Sequence, residues 1–168
     1  MLTSRYKSSL DQLLKPIAAS IAQAGVSPTA LTLAGPLLTL AVCLWFVQTA
    51  SILLFCLLMA LVGSLDVLDG AVARVSGRVT KFGAYLDAVC DRYVDAMVVG
   101  AAAVVTGYWT LSLITLAGTL LVSYAKARAA MEVPISILEW PDLMQRAERS
   151  ALFLGGLAAS VLLPWQPL

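Results

Sequence analysis

Five aspartates, Asp66, Asp69, Asp87, Asp91 and Asp95, stand within or beside two long apolar stretches, where a membrane-type sequence normally carries none. A charge at mid-bilayer costs roughly 3 kcal/mol or more, so such acids face a polar interior and mark function. On a helix turning about 100° per residue, Asp66, Asp69, Gly70, Ala73 and Arg74 share an arc of about 140°. Gly83, Asp87, Asp91 and Asp95 recur every fourth residue and drift about 40° per step. Each stretch therefore presents one acidic stripe, and the short connection from Val75 to Lys81 holds the two side by side. Carboxylates gathered in a low dielectric repel one another and need cations between them. The chain has no histidine. Ligands made of oxygen alone select hard ions such as magnesium, manganese or calcium. Two such ions would grip a diphosphate and stabilise charge developing on the leaving phosphate. Gly70, Ala73 and Gly83 leave the same faces open to a bulky ligand, with Arg74 beside them. The residues alone indicate metal–diphosphate chemistry at a membrane surface. Each part has a plainer reading. Asp66 and Asp69 could be helix-end acids, the small residues tight helix packing, and Arg78 and Lys81 topology charges. Asp95 could pair with Arg92 or line a polar cavity. These readings do not account together for four acids on two adjacent segments.

The elements that must position these acids are membrane helices. A hydrocarbon core about 30 Å thick needs roughly 20 helical residues, and five segments reach or approach that length. They run from about Ala30 to Val47, Ile52 to Arg74, Phe82 to Val105, Trp109 to Ala129, and Ala147 to Leu163. With the amino terminus inside, ten of the eleven basic residues face the cytoplasm and the eleventh, Arg92, lies within the third span. That is a strong positive-inside asymmetry. It predicts a multi-pass protein of the cell membrane with its amino terminus and active site on the cytoplasmic side. Before the first span, Leu10, Leu13, Leu14, Ile17, Ala18 and Ile21 repeat at helical spacing. This predicts an amphipathic helix over about residues 5–24, either a surface anchor or a support for the site. Gly25 ends it, and Ser27-Pro28 breaks the chain before the first span. The stretch Glu132 to Asp142, with two prolines, reads as a cytoplasmic loop or short surface helix. The expected fold is all-α: one polytopic membrane helix bundle spanning residues 1–168, with an interfacial amphipathic helix at its amino end.

Composition agrees. Sixty per cent of the 168 residues are apolar and 12% are charged, against roughly 25% charged in soluble proteins, and the mean hydropathy is +0.88. Cys43, Cys56 and Cys90 lie inside apolar segments, as buried thiols rather than a disulfide framework. The absence of histidine excludes His-based zinc sites and Ser-His-Asp catalysis. No nucleic-acid partner is expected. The first 15 residues lack a small-residue cleavage site and do not read as a secretory signal.

The run Asp66-Val-Leu-Asp69-Gly70-Ala-Val-Ala73-Arg74, followed at fixed spacing by Gly83, Asp87 and Asp91, matches a specific signature, D-x2-D-G-x2-A-R-x8-G-x3-D-x3-D, at all eight of its fixed positions. It resembles the CDP-alcohol phosphotransferase family. The stretch Gly25-Val-Ser-Pro28-Thr-Ala-Leu-Thr32 is also similar to that family's segment before the first span, with Thr29 in place of the usual asparagine. The resemblance implies a membrane bundle, commonly of six spans and commonly a homodimer, binding Mg2+ or Mn2+, with two divalent ions expected. It implies that Asp66, Asp69, Asp87 and Asp91 coordinate metal. Asp91 would also be the general base that deprotonates an acceptor hydroxyl for attack on the lipid-side phosphorus, with CMP leaving. Thr29, Ala30, Leu31, Thr32, Asp66, Gly70, Ala73, Arg74 and Thr80 match positions that contact the CDP-linked lipid.

The acceptor is read from a narrower likeness. Asp91-Arg92, Ser123-Tyr-Ala-Lys126-Ala-Arg128 and Arg146-Ala-Glu-Arg149 resemble the branch that uses inositol 1-phosphate. There basic residues grip the acceptor's phosphate, for which Lys126, Arg128, Arg146 and Arg149 are the candidates; ordinary positive-inside charge is their plainer reading. Two alternatives stand beside this: glycerol-3-phosphate as acceptor, or a small cation transporter using the same acids. Five spans are readable where the family commonly has six, and an absent sixth would remove a basic residue from the acceptor pocket.

Overall fold

The structure is a computed structural model and describes residues 14–132 and 145–162. The expected helical residues 5–13, the loop up to Asp142, the end of the fifth span at Leu163 and the tail from Pro164 lie outside the described residues. Those described form six helical segments and no strand. We number them α1 (residues 14–23), α2 (Pro28–Thr49), α3 (Ile52–Val75), α4 (Lys81–Thr106), α5 (Trp109–Glu132) and α6 (Arg146–Leu162). Three of these, α2, α3 and α5, are both long enough and apolar enough to cross a bilayer. At 26 residues α4 has the length, but Asp87, Asp91, Arg92 and Asp95 lower its hydropathy. Many large apolar side chains point outward, Leu37 being 68% exposed and Leu121 63%. Such a surface is stable against lipid and unstable in water. The protein is an integral membrane protein.

Local chemistry sets the helix ends. Gly25 (φ 78°) and Gly77 (φ 66°) adopt the left-handed conformation after α1 and α3. At each, two backbone bonds close a Schellman motif: Gly25 N–H to Ala22 carbonyl and Val26 N–H to Ile21 carbonyl, then Gly77 N–H to Arg74 carbonyl and Arg78 N–H to Ala73 carbonyl. Ser27 caps α2, its hydroxyl accepting from Ala30 N–H at 3.1 Å, with Pro28 at the favoured first helical position. Thr80 caps α4 by accepting from Gly83 N–H at 2.9 Å. Glu148 accepts from Gln145 N–H at 3.0 Å, the return half of a capping box at the start of α6.

Two compact units divide the chain. The first, Met1–Val42 with Leu58–Met97, carries the acidic stripes. In it Ala18, Ala71 and Val72 form a buried cluster against which Leu14, Ile21, Ala22 and Leu31 pack. The apolar face of α1 thus docks on α3 beside Asp69 and Gly70, so α1 supports the site as well as carrying the outward-facing Lys15 and Ile17. The second unit, Cys43–Leu57 with Val98–Leu168, contains the α2–α3 turn. There Phe46 and Phe55 stack with ring centroids 4.0 Å apart. The Cys56 thiol donates to the Leu154 carbonyl at 3.4 Å, tying α3 to α6. All three cysteines are free.

Candidate metal centre and active site

The five residues from Ser76 to Thr80 turn the chain from α3 into α4. The left-handed Gly77 and the Thr80 cap fix the two helices' facing ends, and the aspartates follow. Asp66, Asp69 and Asp87 each offer one carboxylate oxygen, and the three oxygens all lie within 4.8 Å of one another. Oxygens around one hard ion stand about 3–4 Å apart, so a small rotation of these side chains closes the group on a divalent cation. No nitrogen or sulfur belongs to the group, which favours Mg2+ or Mn2+ over softer metals. Asp69 is the buried member, 6% exposed. Its Oδ2 accepts a hydrogen bond from the Thr32 hydroxyl of α2 at 2.6 Å.

Asp91 stands outside that group. It lies one helical turn on from Asp87, and Arg92 Nη2 lies 3.6 Å from its Oδ2. The same Arg92 nitrogen lies 3.6 Å from Asp95 Oδ2, and Asp95 is 8% exposed. The structure therefore gathers three of the four expected metal ligands and sets the fourth carboxylate against a guanidinium.

Residues expected to contact the CDP-lipid separate by role. Thr29 and Ala30 are open at the first turn of α2, whereas Leu31 is packed into the α1–α3 cluster. Thr32 is bonded to Asp69, and Thr80 serves as the α4 cap. Gly70 and Ala73 are more buried than the neighbouring Arg74, which lies beside them. A Cβ at Gly70 would sit 3.3 Å from Arg74 Nη1, so glycine lets that guanidinium lie across the helix surface. The Gly70→Ala variant is expected to push the Arg74 guanidinium aside by a few tenths of an ångström and raise the KM for CDP-lipid about threefold, a fraction of one charge-assisted contact. Its melting temperature should not fall, because alanine favours the helix by about 1 kcal/mol over glycine. Steady-state kinetics with a thermal melt of the detergent-solubilised variant checks both.

Among the acceptor candidates, Lys126, Arg146 and Arg149 are half-buried. Arg128 is 56% exposed and forms an ion pair with Glu132, one turn on. Its guanidinium is thus held at the surface by its own helix.

Residues 25–165 match the family model described as CDP-alcohol phosphatidyltransferase. The chain belongs to that family and is a phosphatidyltransferase enzyme. Its relatives include inositol phosphate synthases of both lipid types. It is 36% identical over 131 residues to an archaetidylinositol phosphate synthase of Pyrococcus horikoshii, covering 77% of this chain and 69% of that protein. It is 34% identical over 169 residues to a phosphatidylinositol phosphate synthase of Corynebacterium glutamicum, covering 94% and 74%. Among solved structures, the Mycobacterium tuberculosis phosphatidylinositol phosphate synthase with CDP-DAG bound superposes with a TM-score of 0.77 at 28% identity, covering 94% of this chain and 80% of the other. The same enzyme in complex with manganese and citrate gives 0.78 at 28% identity, covering 92% and 76%.

Proposed function

We propose that this enzyme transfers the phosphatidyl-type group of a CDP-linked lipid, CDP-diacylglycerol or its archaeol counterpart, to inositol 1-phosphate, releasing CMP at the cytoplasmic face. The observation that carries the reading is the three-aspartate cluster on α3 and α4, with a fourth carboxylate, Asp91, one turn away against Arg92. Divalent ions, when bound by Asp66, Asp69 and Asp87, with Asp91 completing a second site, supply charge neutralisation and in-line alignment of the diphosphate. Arg74 adds its positive charge beside Gly70, and Thr29 and Ala30 offer the open turn of α2 to the CDP group. Asp91 takes the proton of the acceptor hydroxyl as that oxygen attacks the lipid-side phosphorus. Arg92, 3.6 Å from Asp91 Oδ2, orients that carboxylate for the transfer. By their likeness to the inositol phosphate branch, Lys126, Arg128, Arg146 and Arg149 are the basic residues we propose for the acceptor's phosphate. The basic residues at the amino end, the α3–α4 connection and the α5–α6 connection support the cytoplasmic orientation, and a homodimer is the assembly we expect.

The inositol phosphate acceptor is supported by the names of the relatives and by the match of Asp91-Arg92 and the basic pairs to their branch. Purified enzyme given CDP-diacylglycerol and a panel of plain and phosphorylated polyols should release CMP fastest with inositol 1-phosphate. Equal or faster release with glycerol-3-phosphate would replace the proposed acceptor, and cation flux without CMP release would replace the proposed reaction.

A further inference from the structure

We infer that Thr32 is a positioning residue for the metal centre, acting through Asp69 rather than on the nucleotide. This rests on the reading of the aspartate cluster as a divalent-metal site. The Thr32 hydroxyl lies 2.6 Å from Asp69 Oδ2 and 3.1 Å from the Pro28 carbonyl. A hydroxyl has one proton, and the shorter, charge-assisted contact takes it. That bond engages one oxygen of the buried carboxylate, fixes the plane of the group and leaves its other lone pairs for an ion. Outer partners of this kind orient a ligand and tune the metal it holds. The bond also joins α2 to α3 across 37 residues of sequence. It does so where α2 is less constrained by its own backbone: Pro36 has no N–H to offer the Thr32 carbonyl one turn before it. The side chain of Thr32 therefore ties the open turn at Thr29 and Ala30 to the metal ligands. With its proton donated to Asp69, the hydroxyl could meet a nucleotide only as an acceptor.

The test uses the full chain in detergent or nanodiscs, with Mn2+ binding followed by electron paramagnetic resonance in the absence of any lipid substrate. Thr32→Val keeps the shape and removes the hydroxyl; its Mn2+ affinity should fall about tenfold. Thr32→Ser restores the hydroxyl and should bind within about threefold of the parent. CDP affinity of Thr32→Val should be weakened at limiting Mn2+ and return to the parent value at saturating Mn2+. Parental Mn2+ affinity in Thr32→Val, equal loss in Thr32→Ser, or a CDP defect that persists at saturating Mn2+ each overturns the inference. Absence of Mn2+ binding by the parent enzyme itself overturns the metal-site reading instead, so the two failures are told apart.

Discussion

Asp91→Asn is expected to lower CMP release by about a thousandfold while leaving Mn2+ binding at the three-aspartate cluster measurable. The split follows from the geometry. Asp66, Asp69 and Asp87 offer oxygens within 4.8 Å of one another without help from Asp91, so one ion site survives the substitution. What is removed is the carboxylate that Arg92 faces at 3.6 Å and to which the proposed mechanism assigns the acceptor's proton. Asparagine fills the same space and cannot accept that proton, and general-base loss alone is worth about 10²–10⁴ in rate. Loss of its charge from a second ion site deepens the effect. The measurements are CMP release with CDP-diacylglycerol and inositol 1-phosphate, and Mn2+ titration of the same preparation. Activity above about a tenth of the parent's excludes Asp91 as the base. Loss of all Mn2+ binding makes it a ligand of the first site instead.

The helices were legible because their signals are local. Long apolar runs, Gly25 after a helix end and Ser27-Pro28 at a helix start place every described boundary within about three residues of its sequence-based position. The acidic stripes were legible for the same reason: a four-residue repeat of aspartate on an apolar helix has few physical explanations. What the sequence does not carry is which groups meet across helices. Thr32 resembles a nucleotide-contact position, and only the packing of α2 on α3 turns its hydroxyl toward Asp69. Four aspartates at matching spacing suggest one common cluster; three of them offer oxygens within 4.8 Å of one another, and Asp91 faces Arg92. Leu14, Ala18 and Ile21 read equally well as part of a lipid-facing or a protein-facing stripe. The small Ala18 and Ala71, which let α1 approach α3 closely, decide it. Local pattern determines what each helix presents, and tertiary contact assigns the roles.

That division of roles gives Asp69→Asn two opposite signs. Mn2+ affinity should fall at least a hundredfold and CMP release below about 1% of the parent's, because one of three charged ligands at a hard-ion site has become neutral. The fold should persist, since the introduced amide oxygen can still accept the Thr32 hydroxyl. Without metal, however, the variant should melt at or above the temperature of the metal-free parent. Two ionised carboxylates with oxygens 4.8 Å apart or closer repel by at least about 3.5 kcal/mol at an effective dielectric near 20, and the substitution removes the buried member of each such pair that Asp69 makes. Adding Mn2+ should then raise the parent's melting point, binding at a hundred times Kd being worth about 2.7 kcal/mol, and leave the variant's almost unchanged. The order of stability therefore reverses between chelator and Mn2+. A variant that is less stable than the parent in chelator and gains equally from Mn2+ would show that Asp69 serves packing rather than the ion, and the metal centre would have to be sought elsewhere.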